Sequence, residues 1–542
     1  GVQTCALPIS WPLPLNSALR GVLIKIPGKV EFKGNGQVVS TFDDNPQAPF
    51  SSLKLHFNSG PRASLLTPAR CGTYQIVSEM TPWSAADPDN PTPAETRTQT
   101  STFQVTSGPG GGPCPDGSLQ PQFKAGLTNF IAGGSSPFVM NIARADATQR
   151  FNGLDLTLPP GMTAKLKGVP YCPDAVLNSI PGAEGTGAAE LANPSCPAAS
   201  RLGSVAVGVG AGKPFYVNTG SVYLAGPYKG APVSLAAVVP AVAGPFDLGN
   251  VVVRSAVYVN PKTTQITVKT DPLPTHLHGV PLDVRDMRVT VDRPDFTRAP
   301  TNCNEMAVTG VVYGEHGAAV PVSNRFQVGE CGSLGFKPKM QLRLKGGTTR
   351  AKYQQLTATV WARPGDANIG RASVTFPRSI FLAQEHIRTV CTRVQFAADK
   401  CPKGSVYGQA EAITPLLDEP LKGPVYLRSS DNLLPDLVAA LEGPAHQPIK
   451  VELVGRTDSK NRGLRNTFDI VPDAPVTKFT LRMQGGKKSL LVTSRNICKR
   501  TERATVKLNG QNGRRHNFRQ PLTVVNCKKK AKRKASAKRR RG

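Results

Sequence analysis

Aromatic side chains are scarce, at 6% of the chain, and the three tryptophans, Trp11, Trp83 and Trp361, do not recur at equivalent positions. A sugar-binding array built on repeated aromatic platforms is therefore not what the composition favours. Apolar residues at helical spacing are missing too. That nearly excludes long helices, and with them a parallel α/β sheet, whose crossovers need amphipathic helices. No apolar run reaches the length of a transmembrane helix. The chain has no Gly-x-Ser-x-Gly elbow, no His-Glu-x-x-His, no EF-hand loop and no dinucleotide fingerprint between a strand and a helix. The expectation is a protein that is not an enzyme and carries no cofactor.

Several near misses support that expectation. Gly208 to Lys213 has the glycines of a phosphate loop, but Pro214 stands where Ser or Thr is needed and Val207 where the first glycine belongs. A hairpin turn is the better reading. His276 and His278 would share one face of an extended segment, yet no third metal ligand accompanies them. His386 near Cys391 lacks a second histidine, and no Cys-x-x-Cys occurs. The acids Asp43 with Asp44, and Asp469 with Asp473, lie beside prolines, where turn-forming hydrogen bonds are a simpler role than calcium binding. No metal site is expected.

Glycine, proline and repetition are what the chain has in quantity. The 52 glycines and 49 prolines break it into short runs rich in Val, Ile, Leu and Thr, such as 153–158, 205–209, 251–259, 266–268, 356–361 and 450–454, which read as strands. The stretch 383–399 is the main helical candidate. One passage recurs: Thr-Phe-Asp-Asp-Asn-Pro-Gln-Ala-Pro around Phe42 is matched by Thr-Phe-Asp-Ile-Val-Pro-Asp-Ala-Pro around Phe468, with a looser copy from Asp271 through Pro274 and Pro281. Each is followed by alternating apolar residues: Leu53, Leu55 and Phe57, then Phe479, Leu481 and Met483, then Met287, Val289 and Val291. A second block, Cys196-Pro197-Ala198-Ala199-Ser200 followed by Gly220-Ser221-Val222-Tyr223-Leu224, is matched by Cys401-Pro402-Lys403-Gly404-Ser405 followed by Gly423-Pro424-Val425-Tyr426-Leu427. One module is repeated, and repeated modules usually build length or multivalent surface.

Residues 116–331 and 332–527 read as two full repeats. Residues 10–115 hold the rear half of a first one, because Lys29-Val30-Glu31-Phe32 aligns with Lys450-Val451-Glu452-Leu453. Each full repeat is too long for one Ig-sized unit and fits either two sandwiches or one enlarged by an insert such as 172–196. Glycine-rich joints are expected at Gly108 to Pro113 and Gly332 to Gly335. Residues 1–9 resemble the translation of a sequencing adapter and are set aside, so a leader peptide is expected upstream.

Without Cys5, the cysteines fall into local pairs: Cys71 with Cys114, Cys172 with Cys196, Cys303 with Cys331, Cys391 with Cys401, and Cys498 with Cys527. Paired spacing of this kind predicts disulfides and a secreted or cell-envelope location. The chain carries a formal charge of +30. A third of it lies in the tail 528–542, through Lys528, Lys529, Lys530, Lys532, Arg533, Lys534, Lys538, Arg539, Arg540 and Arg541. Such a run cannot bury a core, so a disordered cationic arm is expected, drawn to anionic wall polymers or a membrane surface rather than to a specific nucleic acid.

The Phe-Asp-x-x-Pro-x-Ala-Pro block with its alternating strand, together with Cys-Pro-x-x-Ser and Val-Tyr-Leu, resembles uncharacterised exported repeat proteins of high-GC soil bacteria. The resemblance spans nearly all of residues 10–527 and implies an envelope or extracellular β-sandwich array. The fold class expected is all-β: tandem Ig-like β-sandwich repeats with short inserts, stapled by disulfides, ending in the basic tail, with each repeat a separate bead. The function expected is structural or adhesive at the cell envelope. The alternatives are an extracellular carbohydrate- or polymer-binding module, or the non-catalytic part of a larger secreted enzyme.

Overall fold

The computed structural model describes residues 3–10, 23–33, 37–47, 52–60, 63, 65–68, 70–87, 92–114, 116–460, 463–525 and 527. Alternation of apolar and polar residues makes strands of nearly every regular segment. In one, Phe138, Met140 and Ile142 are buried while Val139, Asn141 and Ala143 are less so; in another, Met340, Leu342 and Leu344 are buried between exposed neighbours.

The first complete unit contributes β1 (Pro121–Leu127), β2 (Phe138–Arg144), β3 (Phe151–Thr157), β4 (Arg201–Val209), β5 (Phe215–Ala225), β6 (Val233–Ala243), β7 (Phe246–Val259), β8 (Ile266–Thr270), β9 (Val284–Val291), β10 (Met306–Gly314) and β11 (Ala319–Phe326). The second contributes β12 (Lys339–Gly346), β13 (Tyr353–Trp361), β14 (Ile369–Thr375), β15 (Val406–Ile413), β16 (Leu421–Arg428), β17 (Asp436–Glu442), β18 (Lys450–Lys460), β19 (Gly463–Phe468), β20 (Lys478–Met483), β21 (Arg503–Gly510) and β22 (Arg515–Val524). Spatial order in the first is β11-β10-β3-β8-β7-β6-β5-β4-β9-β2-β1. The second runs β22-β21-β14-β19-β18-β17-β16-β15-β20-β13-β12, the same order strand for strand, with two short strands added beside β13. Each unit is thus one sheet of eleven main strands, larger than the roughly seven-stranded Ig sandwich.

Both sheets curl until first and last strands meet. In the second unit β12 pairs with β13 on one side and, in parallel, with β22 on the other, so the sheet is a closed ring. Parity requires the parallel pair, since eleven strands in a ring cannot all run antiparallel to both neighbours. In the first unit a single parallel bridge, Ile131 with Gly329, joins the segments following β1 and β11, and the Asn324 side chain donates across the seam to Ala125 O at 2.7 Å.

The rings stack end to end. Leu166 N and Lys167 N both donate to Leu416 O at 2.9 Å, and Glu452 N donates to Pro261 O at 2.7 Å. These bonds set the β7–β8 end of the first ring against the β15–β16 hairpin end of the second. Apolar residues line both ends, so the hydrophobic core runs unbroken from Leu119 to Leu522. The picture of separately cored beads is corrected by this docking. The linking glycines are pinned rather than free: Asn512 donates to Cys331 O and Leu334 O, and Arg514 to Gly332 O at 2.6 Å. Gly108 N likewise bonds Gly112 O across a tight turn.

Helices are few and short. Asp174–Ser179 and Gly187–Ala192 lie within the 172–196 insert, and Arg393–Ala397, with a Thr392/Gln395 capping box, is the helical part of the 383–399 stretch. No described helix is long and apolar enough to cross a membrane. Upstream of the rings, Leu23–Phe32 pairs with Val38–Thr41 and with Gln3–Ser10, and Gly72–Met80 pairs with Arg97–Val105. The segment set aside as adapter-like therefore supplies most of an edge strand.

Candidate functional site

An eight-stranded barrel is just wide enough for side chains to fill, and wider ones enclose cavities. A ring of eleven strands walled by Val, Ala and Leu therefore leaves space. That space is a cavity of about 590 Å³ lined by inward residues of both rings. In the first ring its wall includes Val207, Leu235, Val253 and Val289; in the second, Leu356, Val374, Leu437 and Phe479. At the junction Ala164, Leu166, Leu416 and Pro475 continue it. Although the sequence holds 66 basic and 36 acidic residues, none lies on this wall.

Burial in the first ring is reversed from that of a packed core. On β6, Ala236 and Val238 face outward yet are 0% and 2% exposed, whereas inward-facing Leu235, Ala237 and Val239 are only half-buried. The outer residues are covered by the 172–196 insert: Cys172, Leu177, Ile180, Cys196 and Tyr223 form a second small core with them. The inner residues face the cavity.

One end of the cavity lies at the β4–β5 hairpin, where Phe215 is on the wall and 51% exposed. The glycine-rich run 208–213 forms this turn, Val209 pairing with Phe215, and Gly212 N donates to Asp146 Oδ2 at 2.7 Å. Beside it Asp286 accepts from Asn141 Nδ2, Tyr216 Oη and Arg288 at 2.6, 2.7 and 2.7 Å. Burial pushes this carboxyl up, but the hydrogen bonds from Arg288, Tyr216 and Asn141 outweigh it and hold it below the usual carboxylate range.

The cysteines form five disulfides, joining Cys71 to Cys114, Cys172 to Cys196, Cys303 to Cys331, Cys391 to Cys401, and Cys498 to Cys527. Cys172 and Cys391 occupy matching places: each donates its N–H to the strand carrying the Val-Tyr-Leu block, at Leu224 O and Leu427 O. The following serines, Ser200 and Ser405, are fully buried and donate to Pro197 O and Pro402 O at 2.6 Å. The basic residues Lys528, Lys529, Lys530, Lys532, Arg533, Lys534, Lys538, Arg539, Arg540 and Arg541 lie outside the described residues.

The remaining candidates are dispersed. His276 contacts Thr275 Oγ1, while His278 Nε2 contacts Gly182 O at 2.8 Å. Asp43 pairs with Lys29 at 3.3 Å, and Asp469 with Arg371 and Arg456 at 2.8 and 3.2 Å, so both serve ion pairs rather than turns. Among the described residues no cluster of three or more His, Cys, Asp or Glu could hold a metal.

Sequence reasoning missed Asp473 as a clamp. Buried in the second unit, it accepts from Thr301 N and Oγ1 at 2.8 and 2.5 Å and from Asn302 N and Nδ2 at 3.2 and 3.0 Å, all in the first unit, and from Asn368 Nδ2 at 2.8 Å. The available signal was its place in the recurring proline block, where the first copy has Gln47 instead. The lumen was missed because alternation marks which residues face inward, not how wide the closed sheet will be.

No family model matches the chain, and no curated protein does. Among solved structures, the crystal structure of a "putative membrane anchored protein" from Corynebacterium diphtheriae is similar over 84% of this chain and 96% of that one, at 9% identity and a TM-score of 0.16. That level defines no shared fold.

Proposed function

We propose that the chain is a non-catalytic component of an extracytoplasmic envelope, a rigid double ring held near anionic wall polymers or lipid head groups by its positive charge. The observation that carries this reading is the set of five disulfides, which persist in oxidising compartments. The net charge of +30 supplies long-range attraction to polyanions, concentrated in the run 528–541. A non-catalytic role is also supported by the polar clusters at Asp286, Asp458 and Asp473, whose carboxylates are engaged by their own partners.

Cosedimentation of the full chain with purified cell-wall polymer tests it. Binding is expected at low ionic strength and should be lost near ~1 M salt, where screening acts over ~3 Å. A chain ending at residue 527 should bind more weakly. Salt-resistant binding, or binding indifferent to that truncation, would reject the electrostatic attachment.

A further inference from the structure

We propose that the continuous lumen takes the acyl chain of a long-chain lipid, with the head group left at the open end beside Phe215. The cavity of about 590 Å³ falls among ligand-sized pockets, which span ~300–1,000 Å³, and is far too large for a packing defect. Its wall is predominantly apolar and free of charge, which favours an apolar occupant over water. Val and Leu rather than stacked aromatic rings suit a flexible methylene chain over a flat ring system.

Length agrees. The nine residues of β4 extend ~30 Å along the strand, and the hydrocarbon half of a bilayer is ~15 Å thick. The strands are therefore long enough, even tilted, to house one extended acyl chain. On β6 the apolar side chains of Leu235, Ala237 and Val239 border the cavity. Uncharged polar side chains, among them Ser255, Thr270, Asn368, Thr414 and Asn466, are scattered along the wall.

The test titrates the oxidised full chain with cis-parinaric acid, a polyene fatty acid whose emission rises in apolar surroundings. A saturable rise is expected. Palmitate should displace the probe, and octanoate, eight methylenes shorter, should need roughly a thousandfold more or fail to compete. Ala237→Phe with Val253→Phe, which narrows the first ring, should weaken binding roughly tenfold at an unchanged far-ultraviolet dichroism spectrum. Uptake from dipalmitoylphosphatidylglycerol vesicles would mark the source as phospholipid, and binding of free palmitate alone would mark it as fatty acid. Absence of a saturable signal, or unchanged affinity in the folded double variant, overturns the proposal. If that variant does not fold, native mass spectrometry of the unaltered chain after palmitate treatment decides: one discrete adduct supports the lumen, and none refutes it. The result is independent of wall attachment, because salt that strips polyanions leaves an apolar lumen occupied.

Discussion

The same alternating triplet follows the proline block in three places, and it becomes a strand in only two of them. Met287, Val289 and Val291 lie on β9 between β4 and β2, and Phe479, Leu481 and Met483 lie on β20 between β15 and β13. All six line the cavity. Leu53, Leu55 and Phe57, in the N-terminal copy, lie in no strand and are 52%, 44% and 52% exposed. Among the described residues no strand flanks them. Alternation makes a segment able to be a strand; hydrogen-bonding partners on both sides make it one.

Substitution at matched positions should have its largest difference in effect between these two settings. Leu481→Asp places a carboxylate in the second ring's interior and is expected to cost about 4 kcal/mol or more. Leu55→Asp should stay within about 0.5 kcal/mol of the parent. Urea denaturation of both variants measures it, and equal losses would mean that the N-terminal triplet is buried after all.

The next largest effect concerns how the complete units depend on each other. Asp473→Ala strands donors on Thr301, Asn302 and Asn368 and should cost about 3 kcal/mol, splitting one unfolding transition into two. A single unshifted transition would show that the apolar ends alone hold the rings together. Removing the disulfides that anchor the matching inserts should differ by loop length: the 24-residue separation of Cys172 and Cys196 against the 10 of Cys391 and Cys401. Chain entropy predicts about 3 kcal/mol for each, with the first larger by roughly 0.7 kcal/mol. Thermal melts of the paired Cys→Ala variants read that difference.

The two rings also differ at their seams. β12 and β22 share a parallel ladder from Leu342 to Leu344, extended by Val525 N to Leu344 O, whereas the first ring has the one bridge at Gly329. Hydrogen exchange at Gly329 and Ala132 should be faster than at Val525 by roughly 1 kcal/mol of opening free energy. The smallest effect is acid sensitivity of the β18–β19 hairpin. The hydrogen bond from Arg465, with the Arg465 and Arg456 charges, holds the Asp458 carboxyl below its usual range against burial. A depressed carboxylate stabilises above its unfolded value, near ~3.9, and loses that contribution as pH falls through the folded value. Being partly exposed, the pair should contribute only a few tenths of a kcal/mol. Asp458→Asn should flatten that part of the stability profile below pH ~4.

Much of the architecture was legible in local sequence. Short alternating runs bounded by Gly and Pro marked most strands, and Cys-Pro-x-x-Ser marked the two matching turns at Ser200 and Ser405, because strands and turns depend on neighbours within a few residues. Which cysteines bond was suggested by spacing within the recurring blocks. The clamp at Asp473 was not legible, because its donors sit about 170 positions away, at Thr301 and Asn302.

From the sequence alone came the all-β class, the oxidised pairing, the positive charge and the recurrence of one module, since each follows from composition or short-range pattern. Only the tertiary structure decided that eleven strands curl into each ring, that the rings join into one core, and that a charge-free lumen runs through both. Those outcomes depend on strand number, closure and end-to-end docking, which are properties of many distant segments meeting at once.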